Sequence, residues 1–406
     1  MADLPLSGVR VLDFTWAWAG PFCTQTLAHL GAEVIRIETT ARPPCVTRAI
    51  PPFADNIPGP NRAGYFNQYN QGKRSILLNL QKPEAVDLAY KLVPHCDVVA
   101  DNFAAGVMEK LGFGYDKLRT LKPDLIQISM SGYGQTGPFR RFVGYGPPAS
   151  ALSGQFWLTG YEGGEPSEIG VSYPDPNAGV MGAYAIIAAV LHRDLTGEGQ
   201  YIDQSQWEAV LVHMAEGLLE YDINHREPAR RGNHDPMMSP HETYKSKGND
   251  DQWVSIAVGT EEEWRALCGA IGQAGLADDP RFKTAALRKR NEAALDEIIS
   301  AWTRERDKWE AAETLQRAGV AAFPSMSNRD LAEDRHLIER GYLVQLEHPE
   351  VGRRKHAGIP WKMSGTPCEV RSPAPLRGAD TDDVLRSLLG MSSDEINRLR
   401  KAGIVA

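Results

Sequence analysis

The chain opens strand, helix, strand, and that opening restricts it to a layered α/β fold. Val9-Arg-Val-Leu-Asp-Phe14 is apolar and β-branched, Gly20-Pro21 marks a turn, and Phe22 to Leu30 has helical character ending at Gly31. Glu33-Val-Ile-Arg-Ile-Glu38 reads as a second strand. Two strands joined by a helical crossover run parallel, with a right-handed connection. The alternation continues through a strand at Ser75–Leu80, a helix at Pro83–Leu92 and a strand at Asp97–Asn102. A short helix at Tyr115–Leu121 and a strand at Asp124–Met130 follow. Such a series builds a doubly wound, Rossmann-like parallel sheet whose ligands sit beyond the carboxyl ends of the strands. Thr15–Gly20, Asn102–Gly106 and Ser131–Gly137 then share one rim.

With 406 residues the chain is too long for one ordinary core, so a smaller second domain is expected. Asn177–Leu195 is apolar or small on nearly every side, which predicts a buried helix. Residues 225–251 are polar and rich in turn formers, a linker or loop. Glu261 to about Gly319 reads as amphipathic helices, Val320–Pro375 as β-like segments with Pro and Gly, and Thr381–Leu389 and Ser393–Ala402 as a closing helix pair.

Hydrophobic residues make up 42% and charged residues 24%, as in a globular protein. Net charge is −8, the wrong sign for a general nucleic-acid binder. The five cysteines are widely spaced and form no CxxC pair, which points away from disulfides and zinc and towards a reducing compartment. The N-terminus lacks the pattern of a signal peptide, and the longest apolar run, Ala183–Leu191, is too short to cross a bilayer. The expectation is a cytoplasmic protein with no membrane, nucleic-acid or metal partner. GxGxxG, Walker A, HExxH and GxSxG are all absent, and Gly144-Tyr-Gly146 reads as a turn.

Asp175, in Val171-Ser-Tyr-Pro-Asp-Pro-Asn-Ala-Gly179, stands just ahead of the apolar helix. It reads either as a turn or N-cap aspartate, or as a carboxylate kept ionised by the helix dipole and able to attack an acyl carbon. Spacing leaves both open.

Several segments, in order, resemble the class III CoA-transferase family. They are Gly8–Thr15, Ala19-Gly-Pro21, Leu30–Glu38, Asn70-Gln-Gly-Lys-Arg-Ser-Ile76 and Asp101-Asn-Phe103. Ser131-Gly-Tyr-Gly134, Gly137-Pro138, Asp175 with Gly179, Gly197-Glu-Gly-Gln200, Asp203, Gly358-Ile-Pro360 and Pro373–Leu376 complete the series. The resemblance implies coenzyme A transfer between an acyl-CoA and a free carboxylic acid, with Asp175 as nucleophile. It places CoA contacts at Trp18, Ala19, Leu78, Asn79, Asn102, Phe103, Ala104, Lys110, Met130, Ser131, Gly132 and Tyr133. For Leu78 and Met130, plain strand core is the competing reading. It also implies an interlocked homodimer. The large domain would begin with residues 1–224 and the small domain span 252–325, with 326–406 returning to the large domain.

Three departures from the formyl-CoA transferase pattern matter. Thr39 and Gln81 replace an arginine and a lysine suited to CoA phosphates, which leaves Arg42, Arg48 and Lys82 as nearby cations. Gly232–Met238 stands where a glycine-run loop is expected, arguing against formyl and oxalate substrates. Val143-Gly-Tyr-Gly146 lacks the histidine base of the racemase branch, and the Tyr145 phenol, with an ordinary pKa of about 10, is a poor base at neutral pH. The run Asp-Phe-Thr-Trp-Ala-Trp-Ala-Gly-Pro resembles transferases that activate benzylsuccinate-like acids, which suggests succinyl-CoA as donor and an aryl-substituted succinate as acceptor. The rival readings are an acyl-CoA racemase or epimerase, a non-catalytic subunit of a heteromeric transferase, and a nicotinamide oxidoreductase. The absent dinucleotide fingerprint demotes the last.

Overall fold

The computed structural model describes residues 4–39, 45–249 and 251–406. Six strands form one wholly parallel sheet: Arg10–Asp13 (β1), Glu33–Thr39 (β2), Arg74–Leu78 (β3), Val98–Asp101 (β4), Ile126–Ser131 (β5) and Tyr201–Ser205 (β6). Their spatial order is β3-β2-β1-β4-β5-β6, so the winding reverses between β1 and β4. In open sheets that reversal leaves a crevice beyond the strand ends, and ligands bind there.

The strands are apolar along most of their length because both faces are covered. Val11, Val34, Val98, Ile128 and Met130 point to one side, against Ala19–His29 (α1) and Pro174–Thr196 (α8). Leu12, Ile35, Ile76 and Val99 point to the other, where Pro83–Leu92 (α3) and Tyr115–Leu121 (α5) supply Leu88, Leu92 and Leu118 to a second core. The remaining helices of this region are Gly64–Tyr69 (α2), Val107–Lys110 (α4), Gly146–Leu152 (α6), Gln155–Leu158 (α7), Gln206–Leu211 (α9) and Ala215–Asn224 (α10).

Contacts divide the chain into two compact units. The first comprises residues 1–156, 168–227 and 335–406, and the second 157–167 and 228–334. The second unit holds an antiparallel sheet of His241–Lys245 (β7), Trp253–Ala257 (β8) and Ala321–Pro324 (β9). Glu261–Ala270 (α11), Ala285–Arg290 (α12), Glu292–Thr303 (α13), Lys308–Arg317 (α14) and Asn328–Glu333 (α15) accompany it. Its core is built on Tyr244, Ile256, Trp264, Leu295, Ile299 and Leu315. Within the first unit the chain then adds Arg335–Glu339 (α16), the hairpin Leu343–His348 (β10) and Gly352–Ala357 (β11), and helices Thr381–Leu389 (α17) and Ser393–Lys401 (α18). Val384, Leu385 and Ile396 of that helix pair join the α3 core.

Two local expectations change. Residues 241–245 fall in the segment read as linker yet form β7, because Tyr244 is buried in the core of the second unit while the strand's other residues are polar. Helix α8 buries one face only: Ala178, Gly182, Ala183, Ile186 and Val190 pack inward. Val180, Tyr184, Leu191 and Leu195 remain 53%, 73%, 61% and 78% exposed. Among the described residues α8 is long and apolar enough to cross a membrane by length and composition, but its inner face is packed on α1.

Candidate active site

The site is built where β1 and β4 part. Beyond β1, Asp13 accepts hydrogen bonds from the Thr15 N–H at 2.8 Å and the Thr15 hydroxyl at 2.5 Å, which turns the chain out of the strand. Across the crevice the Asn102 side chain pairs with the Trp16 backbone, its Oδ1 accepting from the Trp16 N–H at 2.7 Å and its Nδ2 donating to the Trp16 carbonyl at 2.8 Å. The next residue, Ala17, sits in the left-handed region with φ of 58°, a conformation that costs a non-glycine residue about 1–3 kcal/mol and recurs at functional sites. The reversal sends neighbouring indoles to different partners. Trp16 meets Phe103 edge-on at 6.2 Å, while Trp18 packs at 5.6 Å from Tyr65 and 5.1 Å from Tyr69 of α2. Helix α1 then starts at Ala19. A side chain at Gly20 would put a Cβ 2.4 Å from the Thr15 Cβ and 3.0 Å from the Asn102 Cγ, so only glycine lets α1 begin this close.

Asp175 lies in the first turn of α8, at the positive end of the helix dipole, although Pro174 and Pro176 carry no N–H and the Asp175 and Asn177 N–H groups donate to the Ser172 and Tyr173 carbonyls. The Ser172 hydroxyl donates to its Oδ2 at 2.5 Å and the Gln206 Nε2 to its Oδ1 at 3.2 Å. The backbone N–H of Ala19 also faces the carboxylate. Burial pushes the Asp175 carboxyl above its usual range, and these three donors act against that rise. The helix dipole is therefore one of several opposing influences on this group. Gly146, read from sequence as belonging to a turn, begins α6 and presses on the site. A Cβ there would fall 2.4 Å from Asp175 Oδ2 and 1.6 Å from the Ser172 Oγ. Gly179 does the same further along α8, where a Cβ would lie 2.8 Å from the Ala19 carbonyl oxygen.

The remaining positions singled out by sequence separate into two groups. Trp18 and Ala19 adjoin Asp175, Asn102 and Phe103 line the crevice, Ala104 is exposed on the same loop, and Lys110 is exposed at the end of α4. Ser131 is buried at the end of β5 with its hydroxyl free of hydrogen bonds. The Gly132 carbonyl accepts from the Trp207 N–H at 3.0 Å, and the Tyr133 ring stacks edge-on with Trp207 at 6.4 Å. Leu78 and Met130 are core residues instead. Leu78 is fully buried and bridges to Val405, and Met130 is packed where a Cβ on Gly182 would touch its sulfur at 2.7 Å. Asn79 is tied to the C-terminal segment through its N–H to the Ile404 carbonyl at 2.9 Å and its side chain to the Gly403 carbonyl at 3.3 Å.

Ser172, Gln206 and Tyr65 do not stand out in the sequence. For Gln206 a signal exists: Ser205-Gln-Trp-Glu208 is an S-x-x-E pattern, and Ser205 does cap α9, which fixes Gln206 in its first turn. Of the cations nominated for phosphate, Arg48 is excluded by its burial. Its guanidinium holds Glu38 through two 2.7 Å hydrogen bonds and lies 3.4 Å over the Phe66 ring. Lys82 is hydrogen-bonded to the Ala402 carbonyl, and Arg42 lies outside the described residues. A guanidinium from the C-terminal segment stands at the end of β2, where Arg377 Nη2 donates to the Thr39 carbonyl at 2.6 Å. Among the described residues no group of three or more His, Cys, Asp or Glu side chains could hold a metal ion.

The family model of CoA-transferase family III matches residues 6–381. The chain belongs to CoA-transferase family III. Similar proteins span nearly its whole length. The succinyl-CoA–D-citramalate CoA-transferase of Chloroflexus aurantiacus is 32% identical over 99% of this chain and 98% of its own. The succinate–glutarate CoA-transferase of Agrobacterium fabrum is 34% identical over 95% and 96%. A solved CAIB/BAIF family protein from Brucella suis superposes with a TM-score of 0.86 at 29% identity, covering 95% of this chain and all of that one (100%). This family III member is thus an enzyme that works on CoA thioesters and carboxylic acids, and the crevice beside Asp175 is its candidate site.

Proposed function

We propose that Asp175 is the covalent nucleophile of an acyl-CoA:carboxylate CoA-transferase. The observation that carries this reading is the carboxylate itself, half-buried in the first turn of α8 between Ser172 and Gln206 and facing the Ala19 N–H. Asp175 attacks the donor thioester carbonyl, forming an acyl–aspartyl anhydride and expelling CoA thiolate. The thiolate attacks the aspartyl carbonyl, freeing the donor acid and leaving CoA as an aspartyl thioester. The acceptor carboxylate attacks that thioester, giving a second anhydride, and the released thiolate takes the acceptor acyl group. Each tetrahedral intermediate places negative charge on an oxygen. The Ala19 N–H at the start of α1, the Ser172 hydroxyl and the Gln206 amide are the donors that face Asp175.

Succinyl-CoA is the donor we favour, supported by the named activities of the similar enzymes. An aryl-substituted succinate is the acceptor we favour, supported by the wall of Trp18, Phe22, Tyr65 and Tyr69 beside the nucleophile. CoA would run along Trp18, Ala19, Asn102–Ala104, Lys110 and Ser131–Tyr133, with Arg377, hydrogen-bonded to the Thr39 carbonyl, as the cation we nominate for its phosphates. The racemase alternative gains no support, since Tyr145, which stands where that branch carries its histidine, is 72% exposed. We assign the cytoplasm as compartment, supported by five free, widely spaced cysteines.

The test is chemical. Hydroxylamine added during turnover should inactivate the enzyme and leave its mass label on the peptide bearing Asp175, and Asp175→Asn should bind acyl-CoA without turning it over. Retention of more than a few per cent of activity by Asp175→Asn would refute the assignment.

A further inference from the structure

Beneath the crevice lies a buried lysine that the acyl-transfer steps above do not use. The Lys73 side chain has no solvent exposure. Its Nζ donates to Thr24 Oγ1 at 2.7 Å, the Pro21 carbonyl at 2.9 Å, Asn70 Oδ1 at 3.0 Å and Asp13 Oδ2 at 3.2 Å. An ammonium carries three hydrogens, so four acceptors saturate it, and the longest contact is chiefly an ion pair. The acceptors belong to three different pieces of the site. Pro21 and Thr24 lie in the first turns of α1, which starts at Ala19 and is preceded by Trp18. Asn70 follows α2, which carries Tyr65 and Tyr69. Asp13 ends β1 and shapes the turn at Thr15, and Thr24 Oγ1 donates to it at 2.8 Å.

We propose that Lys73 is a positioning residue of the transferase, holding the start of α1 and the aromatic helix α2 in one fixed geometry against Asp175. The inference rests on the nucleophile reading above. Moving the first turn of α1 moves the Ala19 N–H, and a donor displaced by about 1 Å from a developing oxyanion can cost on the order of a hundredfold in rate.

The surrounding charges make the device pH-sensitive. Burial lowers the Lys73 ammonium to about 8, with the Asp13 carboxylate opposing that fall and Arg36 adding to it. The groups facing it are Asp13 of β1, Arg36 of β2, and Cys23 and His29 of α1. Burial alone would raise Asp13, but Lys73 and Arg36 hold it low. Burial lowers His29 to about 4 and raises the Cys23 thiol well above its usual range, so neither changes charge between pH 7 and 9. Above about pH 8 Lys73 becomes a neutral amine with two hydrogens and a lone pair, too few donors for four acceptors.

The experiment is a pH–kcat profile from pH 6 to 10 for the wild type and Lys73→Met. The wild type should decline above about pH 8. Lys73→Met should lose tenfold or more in kcat at pH 7, with kcat/KM falling in parallel, and should lose that decline. Active-site titration with hydroxylamine should still count one reactive site per folded chain. Because Lys73→Met leaves Asp13 short of a partner, Asp13→Asn/Lys73→Met removes both charges together and should show the same flat, lowered profile. Full activity of either folded variant, or an unchanged alkaline limb, would overturn the proposal, as would failure of both variants to fold. Failure of the nucleophile reading shows separately, as turnover by Asp175→Asn.

Discussion

The Ser172 hydroxyl donates to Asp175 Oδ2 at 2.5 Å, three residues ahead of the carboxylate it serves. This contact stabilises the ionised form and opposes the upward push of burial. Removing it raises the carboxyl further, and only the carboxylate is nucleophilic. Ser172→Ala should therefore shift the acid limb of the pH–kcat profile to higher pH and lower the rate most on the acid side of the profile. A limb that stays in place or moves down would mean that Asp175 is not the group titrating there.

The buried pair of Arg48 and Glu38 makes a separate prediction. The two side chains are 0% and 3% exposed, and Arg48 also caps the Pro60 and Pro375 carbonyls. Arg48→Met would strand the Glu38 charge, and breaking a buried pair in this way costs about 3–5 kcal/mol. Urea unfolding should show that loss, while the KM for acyl-CoA in the variant that folds should change little. A KM rise of tenfold without destabilisation would make Arg48 a phosphate ligand after all.

The sheet is legible from sequence because β1 to β5 are short apolar runs between strong turn formers, and the crossover rule then orders them. Helix α8 reads as apolar all round for a reason that the isolated chain does not display, since Val180, Tyr184, Leu191 and Leu195 face outward. The site is only half legible. Asp175 stands out by its place ahead of a long helix and by the family pattern. Its partners do not: Gln206 and Tyr65 reach it through tertiary packing that links residues far apart in the chain, and Ser172, though only three residues ahead, belongs to no pattern that marks it in the sequence. The cation proposed for the CoA phosphates is obscured for the same reason. Proximity in sequence nominates Arg48, whereas Arg377 reaches Thr39 from more than three hundred residues away.

Trp18 tests the acceptor. Its indole packs against both Tyr65 and Tyr69, next to the Ala19 N–H that faces Asp175. Formyl-CoA transferases, by resemblance, have a small hydrogen-bonding glutamine at this position. Trp18→Gln should weaken use of aryl-bearing acids by tenfold or more in kcat/KM, since burying an aromatic ring against apolar surface is worth about 1.5–3 kcal/mol. Use of unsubstituted succinate should fall by less. Equal losses on both acids would make Trp18 a residue of the scaffold alone.

Assembly gives the last prediction. The interlocked homodimer implied by the family resemblance is a proposal, and two apolar surfaces that this chain leaves to solvent are available for it. One is the outer face of α8. The other lies on α10, where Leu218, Leu219, Tyr221 and Ile223 are 59%, 51%, 55% and 68% exposed. Exposed apolar side chains gathered along one helix are suited to an interaction site. A pair of chains that merely touch through such faces would separate on dilution according to mass action. Chains threaded through one another cannot separate unless one of them unfolds, so an unfolding barrier sets their lifetime. The dimer should persist at nanomolar concentration in analytical ultracentrifugation or single-molecule photometry. Two populations carrying different tags, mixed natively, should form no mixed dimer over days, yet should form the statistical mixture after joint denaturation and refolding. Tyr184→Arg together with Leu219→Arg should block that refolding, because each places a charge in a surface that must be dry. Ready exchange of native subunits, or a folded monomer on dilution, would show that the chains are not interlocked.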